Sequence, residues 1–152
     1  KAASAQSQSA SLEAPFELTL MDESKLKLQK FSDGFKVEGN DEAILFNFFA
    51  TWCPPCRAEM PELNEFAKKH DGEVTFYAIN LQEPKDTVDK FLKDNGYTMP
   101  VLLDLNGEAA DIYRVRAIPT TYVIDRDGTI LLKKIGGTTA AELETALLRA
   151  AK

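Results

Sequence analysis

Phe16-Glu17-Leu18-Thr19-Leu20 alternates apolar and polar positions, and the alternation resumes at Leu26, Leu28 and Phe31 after Met21-Asp22-Glu23-Ser24. Successive side chains of a strand point to opposite faces, so this period predicts a β-hairpin with one apolar face. Ser32 to Asp41, with Gly34 and Gly39, reads as a loop. Ala43 to Phe49 then lacks a polar alternating face, which predicts a central strand.

From Pro54 to about His70 the period changes, and Met60, Leu63, Phe66 and Ala67 fall on one stripe of an amphipathic helix. Pro61 lies inside it and cannot donate to the Arg57 carbonyl, so a kink is expected there. Val74 to Ile79 reads as a strand, and Asp86 to Asn95 as a helix with Val88, Phe91 and Leu92 inward, ended by Gly96. A short strand at Val101 to Leu103, a short helix at Glu108 to Tyr113 and a strand at Thr120 to Ile124 follow. Asp125-Arg126-Asp127-Gly128 turns the chain into Thr129 to Ile135, a hairpin. Thr139-Ala140-Ala141-Glu142 has the form of a capping box and starts a final helix burying Leu143, Ala146, Leu147 and Ala150. Strands alternating with helices predict a mixed sheet covered on both faces, and no internal repeat is visible.

The chain has 152 residues, enough for one domain with a core that needs no disulfide staples. Its 18 Lys and Arg against 24 Asp and Glu give a net charge of −6, with no long basic block, which argues against nucleic acid as the main partner. No run approaches the roughly 18 apolar residues of a membrane span. Ala2 to Ser11 contains only Ala, Ser and Gln, so residues 1–13 read as a flexible linker or processed tail and 14–152 as the domain. A signal peptide, an anchor or a lipid-attachment segment upstream would fit such a tail, as would a cloning remnant.

The only two cysteines, Cys53 and Cys56, sit where the strand of Phe46-Asn47-Phe48-Phe49 gives way to the helix. Unpaired N–H groups and the positive end of the helix dipole favour thiolate there, and thiolate is the reactive form. On the first helical turn the first sulfur should face outward and the second inward, which makes Cys53 the nucleophile and Cys56 the resolving thiol. Half of a zinc site is the alternative, but it would need four ligands and the chain adds only a distant His70. A purely structural bridge would close too short a loop to restrain the unfolded chain. Pro54 and Pro55 remove backbone donors between the thiols, which should make the couple less oxidising. Glu59, three residues past Cys56, is close enough to couple to that thiol and handle its proton; the alternative is a solvated glutamate. Trp52 would shield the rim or simply pack, Arg57 reads as a solvated first-turn residue with stabilisation of negative charge near the thiols as its alternative, and His70 suits the helix C-terminus without a catalytic role.

The run Ala50-Thr51-Trp52-Cys53-Pro54-Pro55-Cys56-Arg57-Ala58-Glu59-Met60-Pro61-Glu62-Leu63, with Tyr113, Val115, Ile118-Pro119-Thr120-Thr121 and Asp125-Arg126-Asp127-Gly128, resembles the thioredoxin superfamily. More narrowly it resembles the TlpA/ResA-type extracytoplasmic thiol–disulfide oxidoreductases of bacteria. The resemblance covers about Ala14 to the C-terminus. It implies a thioredoxin fold, α/β, with a central mixed sheet flanked by helices on both faces, an N-terminal hairpin and an inserted helix–strand unit near Asp86 to Leu103. It also implies a cis Pro119 beside the cysteines, Glu59 as proton handler, and substrate contacts from Trp52, Pro54, Pro55, Ile118 and Pro119. Cytoplasmic thioredoxins carry a buried aspartate where this chain has Asn47, which cannot titrate.

The function implied is reduction of disulfides in exported proteins such as apocytochrome c, outside the cytoplasm. A membrane thiol donor of the CcdA/DsbD kind would supply electrons, and a membrane anchor absent from the chain as given would tether the protein; no cofactor or metal is called for. The same site run as an oxidase or isomerase, or a thioredoxin-fold metal chaperone, are the rivals. A peroxidase is disfavoured because the Pro-x-x-x-Thr-x-x-Cys pattern is absent.

Overall fold

The computed structural model describes residues 16–31, 34–37 and 39–150. The tail assigned to 1–13 lies outside the described residues.

The strand at the centre, β4 (Ala43–Phe49), is buried at all seven positions. Its two faces feed two separate cores. Ala43, Leu45 and Phe49 join one cluster and Ile44, Phe46 and Phe48 the other, as the two-residue period requires. Each fully buried Phe or Leu is worth about 1.5–3 kcal/mol relative to exposure, so β4 alone anchors much of both layers.

Among the described residues, eight strands form one sheet in the order β3 (Gly34–Val37), β2 (Lys25–Phe31), β1 (Phe16–Leu20), β6 (Val101–Asp104), β5 (Val74–Leu81), β4, β7 (Thr120–Ile124) and β8 (Ile130–Ile135). β1 (Phe16–Leu20) and β2 (Lys25–Phe31) make the expected antiparallel hairpin, with Phe16 opposite Leu28 and Leu18 opposite Leu26. β3 (Gly34–Val37) corrects the loop expected over Ser32 to Asp41: it pairs with β2, and Val37, opposite Leu28, is buried. Two glycines signalled a loop, but a neighbouring strand edge was available to satisfy the backbone between them.

β4 runs parallel to β5 (Val74–Leu81) and antiparallel to β7 (Thr120–Ile124), with Asn47 opposite Thr121. A parallel pair needs a crossover, supplied by α1 (Pro54–Lys69). This helix is one 16-residue segment that includes Pro61, and it buries Cys56, Glu59, Met60, Leu63 and Phe66. The inserted unit is α2 (Lys85–Asn95) followed by β6 (Val101–Asp104), parallel to β5. Gly96 caps α2 in the left-handed conformation, φ 69°, which costs glycine little. β6 also pairs antiparallel with β1, so the hairpin extends the sheet on that side.

α3 (Glu108–Ile112) brings Ala109 to the β1/β2 side of the sheet, where Tyr113 just after it is also buried. On the opposite face α1 and α2 are joined by α4 (Ala140–Leu147), which follows β8 (Ile130–Ile135). Helices thus cover both faces. The capping box is present: the Glu142 N–H donates to Thr139 Oγ1 (3.2 Å), and Glu142 Oε1 accepts from the Thr139 N–H (3.2 Å). In α4, Leu143 and Ala146 are buried, while Leu147 and, beyond the helix, Ala150 are only partly so. Thr139→Ala should cost about 1 kcal/mol, the usual value of a lost N-cap, read as a lower urea midpoint at unchanged slope.

Candidate active site

The C-terminal end of β4 delivers the chain into a turn closed by the Cys53 N–H on Ala50 O (3.3 Å). Cys53 is the N-cap of α1, and Pro54 and Pro55 take its first positions, where a missing N–H costs nothing. Cys53 Sγ accepts from the Cys56 N–H at 3.3 Å, so the sulfur fills the role of a capping oxygen. Two prolines therefore leave one backbone donor aimed at that atom. Cys53 and Cys56 form a disulfide, with Cα atoms 5.2 Å apart.

The expectation of an outward first sulfur needs correction for this oxidised form. Cys53 keeps 3% exposure and Cys56 none. The Ile118–Pro119 loop accounts for the difference, since Ile118 O lies 3.7 Å from Cys53 Sγ. The Ile118–Pro119 peptide is cis, as the family resemblance implied. Pro119 is buried and Ile118 partly so, and the Gly136 N–H donates to Pro119 O at 2.8 Å. Trp52 is 68% exposed, which excludes a packing role, and Pro54 and Pro55 are exposed beside it. Trp52, Pro54, Pro55, Ile118 and Pro119 are thus drawn into one neighbourhood around Cys53, from two distant parts of the chain.

Glu59 is not a solvated glutamate. It is 6% exposed, and both its oxygens accept N–H donors: Asn47 Nδ2 to Oε2 (2.7 Å) and the Thr138 backbone to Oε1 (3.0 Å). Burial pushes its carboxyl above the ordinary value of 4.5, while the Thr138 and Asn47 hydrogen bonds pull the other way. Asn47 reaches Glu59 because it occupies the same face of β4 as Leu45 and Phe49, which looks onto α1. Asn47 cannot titrate, and its contact with Glu59, 12 positions on, is not visible in the sequence. Thr138 was missed for the same reason, being 79 residues from Glu59.

Glu83 was missed too. In the loop after β5, its Oε1 accepts from the Thr51 N–H (2.8 Å) and Asn80 Nδ2 (2.7 Å), and its Oε2 from Thr51 Oγ1 (2.6 Å). This carboxylate clamps the turn that presents Trp52 and Cys53. The available signal was a polar Asn80 near the C-terminal end of a largely apolar parallel strand, with Glu83 just beyond it, at the edge where open α/β sheets place their sites.

Arg57 is held by Thr51 O (3.1 Å from Nη1) and lies 5.7 Å from the Phe91 ring centre, so it is engaged with protein as well as solvent-exposed. With Trp52, Pro54, Phe91 and Tyr97 it lines an open groove of about 680 Å³ beside the disulfide, one wall of which comes from the inserted unit. His70 lies at the far end of α1, about 25 Å from Cys53 at 1.5 Å per residue, between Glu73 (2.7 Å) and Glu144 (3.1 Å). A cleft of about 620 Å³ surrounds it, remote from the sulfur chemistry.

A thioredoxin-type sheet carrying a Cys-Pro-Pro-Cys disulfide at a helix N-terminus is the arrangement of a thiol–disulfide oxidoreductase. The AhpC/TSA family model matches residues 12–133, and the chain belongs to that family. Sporulation thiol-disulfide oxidoreductase A of Bacillus subtilis is 33% identical over 119 residues, 71% of this chain and 72% of the relative. Thiol-disulfide oxidoreductase ResA of Geobacillus kaustophilus is 35% identical over 104 residues, 68% of this chain and 60% of the relative. Thiol:disulfide interchange protein CycY of Rhizobium leguminosarum is 41% identical over 107 residues, 70% of this chain and 56% of the relative. The chain therefore spans less than two thirds of the latter two. The crystal structure of StoA from Bacillus subtilis superimposes with a TM-score of 0.73 at 27% identity, covering 90% of this chain and 98% of that one.

Glu83→Ala strips the acceptor from Thr51 and Asn80, and should lower stability by about 1–3 kcal/mol, measured by urea unfolding of the oxidised protein. For Glu59 the sign is opposite to that of a salt-bridged acid. Its folded form binds the proton more tightly than the unfolded form, so stability falls as pH rises from 4.5 through its raised value and then levels. Unfolding of the oxidised wild type and Glu59→Gln compared across pH 4–9 should show that loss in the wild type only.

Proposed function

We propose that this protein reduces disulfides of exported proteins outside the cytoplasm. Support comes chiefly from the Cys53–Cys56 couple capping α1 beside Ile118–Pro119, within a chain whose relatives are named thiol–disulfide oxidoreductases. In the reduced protein the Cys53 thiolate attacks one sulfur of a substrate disulfide. The substrate's second sulfur leaves as a thiolate, and a mixed disulfide remains. Cys56, deprotonated, then attacks Cys53 Sγ; the substrate departs with both its sulfurs reduced, and two electrons have left the enzyme pair.

Glu59 takes the Cys56 proton in that second step. A buried carboxylate with a raised proton affinity is suited to accept from a thiol near neutral pH. Trp52, Pro54 and Pro55 form one wall for the substrate chain, and the backbone at Ile118 and Pro119 pairs with it from the other side. Apocytochrome c is a substrate class consistent with the TlpA/ResA-type resemblance, with a membrane dithiol of the CcdA/DsbD kind restoring the reduced pair and an anchor holding the full-length protein at the membrane.

Cys56→Ser should accumulate mixed disulfides through Cys53, resolved on a non-reducing gel and mapped by mass spectrometry. Trapping through position 56 in a Cys53→Ser variant, with none through Cys53, would reverse the roles. Equilibration of the couple against glutathione fixes direction: a potential as oxidising as about −120 mV would replace the reductase reading with the oxidase one.

A further inference from the structure

Asn47 is wholly buried, and among the described residues nothing donates to its Oδ1. Its Nδ2, by contrast, donates twice, to Glu59 Oε2 at 2.7 Å and to Thr121 Oγ1 at 2.9 Å. A carboxylate only accepts, so an anionic Glu59 dictates this orientation of the amide. The arrangement fits one protonation state of Glu59 and conflicts with the other. Both its oxygens face N–H groups, and an added proton on either would point at a donor.

The donors differ in what they can do about it. The Thr138 N–H is backbone and stays a donor. Asn47 can turn its amide by half a revolution about the Cβ–Cγ bond and exchange Nδ2 for Oδ1. Thr121, directly opposite Asn47 across the β4–β7 ladder, offers a hydroxyl that both donates and accepts. The row Thr121–Asn47–Glu59 can therefore reverse as a unit, with Nδ2 turned into the place where Oδ1 has no partner, at the cost of that amide's hydrogen bonds.

We propose that Asn47 is a reversible positioning residue, presenting Nδ2 to the Glu59 carboxylate and Oδ1 to the Glu59 carboxylic acid. The proposal rests on Glu59 receiving the Cys56 proton. As that proton moves from sulfur to Glu59 Oε2, the acid O–H donates to Asn47 Oδ1, the Thr121 hydroxyl donates to the same oxygen, and Glu59 Oε1 keeps its bond from Thr138. No other proton changes hands. An aspartate at position 47 would compete for the same proton; an amide serves both states without titrating.

The ionisable groups around Glu59 leave this row undisturbed. On α1 they are Cys56 one turn before it, the Cys53 bonded to that sulfur, and Glu62, whose Oε2 accepts from the Ala140 N–H. From the α4 side Glu142 reaches Thr138 Oγ1 (3.2 Å) and is held by Lys134 (2.7 Å). β4 and β7 contribute only Asn47 and Thr121, neither of which is charged.

Glu59→Gln isolates the reversal. The fixed Thr138 donor demands the glutamine oxygen, which turns the glutamine NH2 toward position 47 and forces Asn47 to face it with Oδ1. In isotope-labelled oxidised protein, nuclear Overhauser contacts from the Asn47 side-chain NH2 to the Thr121 methyl and the Glu59 methylenes should be present above the titration of Glu59. They should be lost below it, and absent at every pH in Glu59→Gln. Contacts that persist in Glu59→Gln overturn the proposal, as do contacts in the wild type that ignore the protonation of Glu59. The reaction rate of Glu59→Gln reports separately on whether Glu59 takes the proton, so the two readings fail independently. Asn47→Leu supplies a kinetic check: resolution of the mixed disulfide should slow at least tenfold with an altered pH profile, while attack by Cys53 keeps its rate.

Discussion

Burial of β4 on both faces is the constraint from which the rest of this structure follows. A strand with no exposed position must be covered by helices above and below, and its backbone must be paired on both edges. β5 and β7 meet the second need, and α1 with α4 on one side and α3 on the other meet much of the first. The redox pair sits where this strand ends. Its surroundings are anchored to a strand buried at all seven positions, which suits chemistry that depends on sulfur atoms meeting in line.

That same burial sets the electrostatics. Asn47 is the one polar side chain in β4, and the two-residue period aims it at α1 rather than at α3. It can be accommodated there because Glu59 and Thr121 supply partners. Glu59 in turn is tolerable as a buried acid because Thr138, at the start of the α4 capping segment, donates to its second oxygen. A strand, a helix and the β8–α4 connection thus converge on one carboxyl group one turn of helix from Cys56. On the other flank a second carboxylate, Glu83, has a different task. Both its oxygens are occupied by Thr51 and Asn80, and it holds the shape of the turn.

The inserted α2–β6 unit supplies one wall of the groove beside the disulfide. Phe91 and Tyr97 reach the rim of the disulfide and shape the groove with Trp52 and Arg57. The exposed Trp52 in this position offers a large aromatic surface next to the reactive sulfur.

Much of this was legible in the residues alone. Local patterns settle local structure: alternation over Phe16 to Phe31 specified the hairpin, the apolar run the central strand, and Thr139 with Glu142 the capping box. Cys53 and Cys56 were recognisable because their chemistry depends on neighbours three residues apart, whereas the placing of Pro119 beside them came from the family resemblance and not from the residues alone. β3 escaped because its evidence is a partner strand, and Gly34 and Gly39 outweighed a four-residue alternation. Thr138, Glu83 and the contact of Asn47 with Glu59 escaped for a deeper reason. Each is a hydrogen bond across 12 to 79 positions, and whether a polar side chain is a solvated surface group or a buried partner depends on what the fold sets opposite it. The sequence by itself determined the reactive pair and the class of fold. Only the tertiary structure decided that Glu59 is buried and that Asn47 holds it, because hydrogen-bond satisfaction in a water-poor interior is a property of the assembled layers and not of any segment.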